Sequence, residues 1–216
     1  MAGDATATRV GAIAGLVGGG AILVASIVTA LAYTGSDGKS YSPFNHFVSE
    51  LGEKANSELA ILFNIGLVIG GLCFVAFMIG LRAHLDGAWG WVTTAIGVIA
   101  GIFAALVGVF PMDDVDIHSK VAGVFFIASM LSVLVFTIAL LTGQAPGLPR
   151  WLAWPGGIAA GVSLLFLLVV VVGGLSLAAP ADRPGFLLVT TLEWLAVISV
   201  TVWVMCVSIV LLAADA

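Results

Sequence analysis

The chain has 216 residues, of which 61% are hydrophobic and only 9% are charged, and its net charge is −5. A soluble domain carries roughly 25% charged residues, so this composition excludes a soluble globular protein. The acidic balance argues against nucleic acid as a partner, since such a partner needs a basic surface. The class that remains is an integral membrane protein.

Six apolar stretches are long enough to cross a membrane as helices, which takes about 20 residues each. Continuous runs such as LLFLLVVVV lack the alternation of barrel strands. We therefore predict an all-α bundle of six transmembrane helices, forming a single transmembrane domain over residues 1–216. The predicted spans are Val10–Tyr33, Leu59–Leu81, Gly90–Phe110, Lys120–Leu141, Leu152–Leu175 and Pro184–Leu212. The first has an apolar run of about 24 residues, too long for a cleaved secretory signal.

The orientation in the membrane is less strongly encoded. An even number of spans places both termini on one side, but Lys and Arg are almost evenly divided between the two sides, so the positive-inside rule is not decisive. Acidic residues concentrate in loops one, three and five, which follow the odd-numbered spans. On this weaker basis we expect a cell-membrane protein with cytoplasmic termini.

Glycines four residues apart recur in the predicted spans. Such spacing lets helix backbones approach closely in lipid. It predicts close packing within one chain, with a homo-oligomer or another membrane protein as the alternative partner. The pairs are Gly11/Gly15, Gly15/Gly19, Gly66/Gly70, Gly97/Gly101 and Gly157/Gly161.

Loop one, about 25 residues long, exceeds the length of a simple helix connection. Ser42 and Pro43 have the pattern of a helix start, and Gly52 that of a helix stop. The apolar spacing between them predicts a short amphipathic helix in the membrane interface, with His46 and Glu50 on its polar face. The alternative is an anchor whose polar face only contacts water.

Loop three places three acids and a histidine within a short segment. Asp114 or Asp116 is suited to cap the following helix, with His118 in its first turn. Together Asp113, Asp116 and His118 offer ligands for a divalent metal, or an acid–base pair. The three histidines of the chain lie near span ends and not at matching depths, so haem is not expected.

Glu193 lies roughly 13 Å inside the predicted sixth span. An ionisable group at that depth is costly and is a functional candidate. Asn64 lies at comparable depth in the second span, and a hydrogen bond between these two side chains would simply hold the bundle together. Arg183, in loop five at the rim, is suited to an anionic lipid headgroup.

These polar groups share one side of the membrane, whereas the half nearer the termini is almost wholly apolar. Buried polar groups need partners, so we predict a pocket that opens on the loop-one and loop-three face, with Glu193 near its floor. The candidate catalytic residues are His118, Asp113, Asp116 and Glu50. The candidate binding residues are His46, Asn64, Glu193 and Arg183.

Four segments carry a resemblance to a known family: Ser49–Lys54 (SELGEK), Asn64–Gly66, Phe110–His118 and Glu193. With them the chain resembles domain of unknown function 998, a family of small prokaryotic six-helix membrane proteins, over nearly its whole length. The Phe110–His118 feature is also distantly similar to one in the Frag1/DRAM-like membrane proteins, some linked to remodelling of lipid anchors. The resemblance implies a six-helix fold and brings no catalytic mechanism.

Three functions stay open at this point. The first is a protein that binds or modifies a lipid headgroup, with membrane lipid as its partner. The second is an accessory or structural subunit of a membrane complex. The third is a proton-coupled transporter of a small solute, with Glu193 as the titrating group.

Overall fold

A computed structural model describes residues 2–35, 38–173 and 183–214. These ranges contain six long α-helices and no strand, and all six are long and apolar enough to cross a membrane. The prediction of an all-α six-helix membrane bundle is confirmed. The helices are α1 (Ala2–Ala32), α2 (Ala60–Leu81), α3 (Gly87–Val109), α4 (Val115–Leu141), α5 (Ala153–Gly173) and α6 (Leu188–Ala214). Three short 3₁₀-helices cover Val48–Gly52, Arg82–His84 and Arg150–Leu152.

Several helix starts differ from prediction, and in α4 and α6 polar contacts, not hydropathy, set the start. Helix α4 begins at Val115, before the predicted Lys120, since the Asp114 side chain accepts a hydrogen bond from the Ile117 N–H and caps the helix. Helix α6 begins at Leu188, after the predicted Pro184. The segment before it is held to loop one, where the Phe44 carbonyl accepts from the Leu187 N–H at 2.6 Å.

The helices form a closed ring, in which each packs against its neighbours in chain order and α1 also packs against α6. Glycine sets the closest approaches. A Cβ atom added at Gly11 would lie 2.9 Å from the Gly80 Cα, and one added at Gly71 would meet the backbone of α3. On α5, by contrast, a Cβ at Gly157 or Gly161 would meet open space. Close glycine packing therefore holds for α1, α2 and α3, but not for the predicted pair Gly157/Gly161 of α5.

An aromatic layer fills the ring near the chain termini. The indole of Trp203 packs against the rings of Phe77 and Phe136, with centroids 5.8 and 5.2 Å apart, and all three side chains are fully buried. Leu81, Leu152 and other apolar side chains complete this core. The terminal-side half of the bundle is thus closed by apolar packing.

Loop one contains a short helix, as predicted, but this helix is shorter than expected and its polar face is buried. Residues 43–45 form a turn, only Val48–Gly52 is helical, and that segment is a 3₁₀-helix packed against α1, α2 and α6. His46, Glu50 and Leu51 are buried instead of being divided between water and lipid. The polar face is buried because hydrogen bonds to distant side chains hold this segment between the helices. Residues 41–52 are called the plug below.

Candidate functional site

Two helix side chains hold the 3₁₀-helix of the plug at its two ends. Glu193 Oε2 accepts a hydrogen bond from the Val48 N–H at 2.6 Å, and Asn64 Nδ2 donates to the Gly52 carbonyl at 3.0 Å. The ends of a helix leave backbone groups without intrahelical partners, so these contacts satisfy groups that burial would otherwise leave unpaired. In place of the predicted direct bond between Glu193 and Asn64, each of these two side chains bonds to the plug.

Gly52 has a steric reason to be glycine. A Cβ atom at this position would collide with Asn64 Oδ1 and lie 3.1 Å from the Phe63 ring. The close approach of the plug backbone to α2 therefore depends on the missing side chain.

A buried ion pair joins the plug to the segment before α6. Arg183 Nη1 lies 2.5 Å from Glu50 Oε1, with the two side chains only 5% and 3% exposed. The same guanidinium donates to the Asn45 carbonyl at 3.1 Å. Burial raises the pKa of Glu50 although the Arg183 charge opposes that shift. Arg183 thus lies in an internal contact and not at an open rim where it would meet a headgroup.

Aromatic side chains fix the remainder of the plug. The Tyr41 hydroxyl donates to the Phe47 carbonyl at 2.7 Å and accepts from Trp194 Nε1 at 2.8 Å. The buried His46 ring packs 5.1 Å from the Tyr41 ring, and its Nδ1 lies 2.7 Å from Asn45 Oδ1. Burial, reinforced by Glu193, raises the pKa of Tyr41. Sequence reasoning missed Tyr41 and Trp194, since no local motif marks their contact.

His118 lies buried near the start of α4, with its imidazole fixed in orientation. Its Nδ1 lies 2.9 Å from the Phe110 carbonyl oxygen. A carbonyl only accepts hydrogen bonds, so Nδ1 carries the hydrogen and, in the neutral ring, Nε2 is an acceptor. This is the arrangement of a base or ligand nitrogen held by a backbone contact.

The acids of loop three do not gather around His118. Asp113 Oδ1 accepts from the Lys54 N–H at 3.1 Å, and Asp116 pairs with Lys120 at 2.6 Å on the exposed surface. In the parts of the chain that the structure describes, no group of three or more His, Cys, Asp or Glu side chains is placed to hold a metal. The predicted Asp113, Asp116 and His118 cluster therefore has no common ligand position.

A cavity lies inside the helix ring below the plug, with an empty volume of about 1000 Å³ that includes space open to the outside. Apolar side chains from α1, α2, α3, α4 and α6 form most of its wall. Ser49 of the plug, His118 and Glu193 lie together at one end. Further along, Ser129 presents a buried hydroxyl with no hydrogen-bond partner among the described residues.

A second cavity, of about 580 Å³ by the same measure, lies between α4 and α5. It shares Ser49, His118, Ala122, Phe126 and Glu193 with the central cavity. Its remaining wall comes mainly from Val115, Ser119 and Gly123 of α4 and Phe166, Leu167 and Val170 of α5. The two spaces therefore meet at the polar end, below the plug.

A ring of six membrane-length helices with buried polar groups beneath a folded loop defines a multi-pass membrane protein. The family model described as "Protein of unknown function (DUF998)" matches residues 16–210, and the chain belongs to this family. The resemblance seen in the sequence is confirmed, whereas similarity to the Frag1/DRAM-like proteins stays a prediction. Neither the comparison with curated proteins nor that with solved structures gives a match.

Proposed function

We propose that this protein binds a membrane lipid in its central cavity. The acyl chain would lie along the apolar wall, and the polar end of the lipid would contact Ser49, His118 and Glu193. One observation carries the proposal: a largely apolar cavity inside the bundle ends at a cluster of hydrogen-bonding side chains. Ligand sites in proteins commonly combine such a wall with a few placed polar groups.

The second cavity supports access from the bilayer. It lies between α4 and α5 and meets the central cavity at His118 and Glu193. A lipid that moved sideways between these helices would reach the polar cluster without passing through the plug. The aromatic layer of Phe77, Phe136 and Trp203 closes the other end, which favours lipid binding over solute transport across the membrane.

Modification of the bound lipid is a second candidate function, favoured by the geometry of His118. His118 lines the cavity, and the contact of its Nδ1 with the Phe110 carbonyl leaves Nε2 as the basic nitrogen, as a general base requires. Asp113 and Asp116 bind elsewhere and would not orient it. Glu50 is committed to Arg183, so His118 alone of the predicted catalytic residues would act directly.

We further place the protein in the cell membrane with both termini in the cytoplasm, and treat residues 1–216 as one domain. The plug, loop three and the polar end of the cavity would then face outward. Binding of a protein partner, or of a second copy, is a separate role, which stoichiometric copurification would reveal.

A cavity-filling variant tests lipid binding. Ala122 of α4 lines both cavities, so Ala122→Phe should exclude the lipid. Val124 lies two residues away and is 38% exposed on the outer surface, which makes Val124→Phe a matched control. Mass spectrometry of lipid retained by the purified proteins should show at least about a fivefold loss for Ala122→Phe only. Equal retention by the two variants, with unchanged melting temperatures, would contradict the proposal.

A further inference from the structure

The two cavities contain no cationic side chain in their walls. All seven Lys and Arg residues of the chain lie in the parts that the structure describes. None of the seven lines either cavity. Arg183 contacts the plug but is paired with Glu50, and Lys120 is paired with Asp116 at the exposed surface. The ionisable side chains that line both cavities are instead the carboxyl group of Glu193 and the imidazole of His118.

This arrangement is unfavourable for a phosphate. An anionic group that leaves water needs a cation or several hydrogen-bond donors to compensate its lost hydration. At the polar end of the cavity, Glu193 already uses Oε2 to accept from the Val48 N–H, and His118 Nε2 is an acceptor. Phospholipid headgroups and fatty-acid carboxylates would thus find no cation to compensate their charge, and only hydroxyl donors such as those of Ser49 and Ser129.

We propose that the ligand is a phosphate-free lipid whose polar end donates hydrogen bonds. A hydroxyl or an amine on a long apolar chain has this chemistry, since either can donate to Glu193 and to His118 Nε2. This inference rests on the proposed lipid-binding function and specifies its headgroup. It also replaces the expectation that Arg183 binds an anionic headgroup.

Four probes with one common oleyl chain isolate the headgroup: oleyl alcohol, oleylamine, oleic acid and oleoyl lysophosphatidic acid. Their dissociation constants for the full-length protein are measured by native mass spectrometry in a phosphate-free detergent. The alcohol or the amine should bind at least about tenfold more tightly than both acids. Tighter binding of the amine would indicate an ionised Glu193, and tighter binding of the alcohol a neutral one; both outcomes support the inference.

Equal or tighter binding of lysophosphatidic acid or oleic acid would overturn the headgroup inference. The proposed lipid binding would still stand if Ala122→Phe abolished the binding of that acid, because the acid would then occupy the cavity. If none of the four probes binds and no lipid is retained, the proposed function fails as well. The two failures are therefore distinguishable.

A variant of His118 can remove the proposed contact of Nε2 with the ligand while keeping the contact of the side chain with the Phe110 carbonyl. In His118→Asn the amide N–H can still donate to the Phe110 carbonyl, but the acceptor at the Nε2 position is lost. Affinity for oleyl alcohol should fall about tenfold with the melting temperature unchanged. Ser132→Ala is the control, since Ser132 is a buried α4 residue outside both cavity walls. Wild-type affinity in His118→Asn would overturn the assigned contact.

Discussion

Glu193 in α6 accepts a hydrogen bond at 2.6 Å from the backbone N–H of Val48, which lies 145 positions earlier in the chain. This contact joins the last helix to the first loop. With the bond from Asn64 to Gly52 at the other end of the same 3₁₀-helix, it holds the plug over the polar end of the cavity. The stability of the plug therefore depends on side chains from two different membrane helices.

Removal of the Glu193 acceptor should destabilise the protein. In Glu193→Ala the buried Val48 N–H has no acceptor, and we expect a loss of about 1–3 kcal/mol in the free energy of unfolding. Glu193→Gln should lose less because its amide oxygen can accept. Thermal unfolding in detergent measures both variants. Ser199→Ala, which removes a hydroxyl bonded within α6, is the control; a Glu193→Ala variant as stable as this control would contradict the prediction.

The buried ion pair predicts rescue by a second substitution. Arg183→Met leaves Glu50 buried without a cation, which should reduce the free energy of unfolding by about 3–5 kcal/mol at neutral pH. Glu50→Gln added to that variant removes the uncompensated charge and should restore most of the loss. Chemical unfolding of the single and double variants tests this. If the double variant is no more stable than Arg183→Met, the ion pair is not the cause of the loss.

Glu50 also predicts a pH dependence of stability. Burial raises the pKa of Glu50 above its ordinary value of 4.5, with Arg183 opposing, so the folded protein binds this proton more tightly than the unfolded chain. The contribution of Glu50 to the free energy of unfolding is therefore fully present below pH 4.5 and decreases as the pH rises through its folded-state pKa.

The slope of stability against pH should accordingly be flatter in Glu50→Gln than in the wild type. It should be steeper in Arg183→Met, which lacks the charge that opposes the shift. Unfolding curves recorded from about pH 4 to pH 8 provide the comparison. Three parallel curves would show that Glu50 does not titrate in this range.

Two helical glycines should respond oppositely to alanine. At Gly71 a Cβ would meet backbone atoms of Gly101 and Ala105, and the two helices would have to separate. We expect Gly71→Ala to cost about 1–3 kcal/mol. At Gly161 a Cβ meets open space, so Gly161→Ala should be neutral or slightly stabilising. The melting temperatures of the two variants test this pair, and a stable Gly71→Ala would contradict the close approach of α2 and α3.

The proposed orientation can be tested with single cysteines. Lys54 lies in loop one and Asp86 in the loop between α2 and α3, and both are exposed. In intact cells, a membrane-impermeant maleimide should label Lys54→Cys and spare Asp86→Cys until the cells are permeabilised. A variant without added cysteine controls for Cys73 and Cys206. The reverse labelling pattern would place the termini outside.

The sequence predicts the existence of the six helices well, but it predicts the residues at which α4 and α6 begin less well. Each membrane span is a continuous apolar run, and lipid leaves such a run little alternative to a helix. The start of α4 depends on the cap at Asp114. The sequence alone offers both Asp114 and Asp116 for this role. The start of α6 depends on the contact of Leu187 with Phe44, which no local pattern encodes.

The positions of the polar residues, like the helix starts, are predicted only in part by the sequence. His118 and Glu193 were expected on one membrane side, and both lie at the walls of the two cavities; their functional roles stay predictions. Loop one has the spacing of an amphipathic helix. Its polar residues are nevertheless buried, because Glu193, Asn64, Arg183 and Trp194 supply partners that the loop itself does not contain.

Membrane residence, helical class and the number of spans follow from hydropathy, which is a sum over neighbouring residues and needs no knowledge of the fold. The plug, the ion pair and the cavity depend instead on which distant groups meet when the ring closes. A buried polar atom must find a partner wherever the chain brings one. In this protein two of those partners lie more than a hundred positions away, as Glu193 does from Val48 and Arg183 from Glu50.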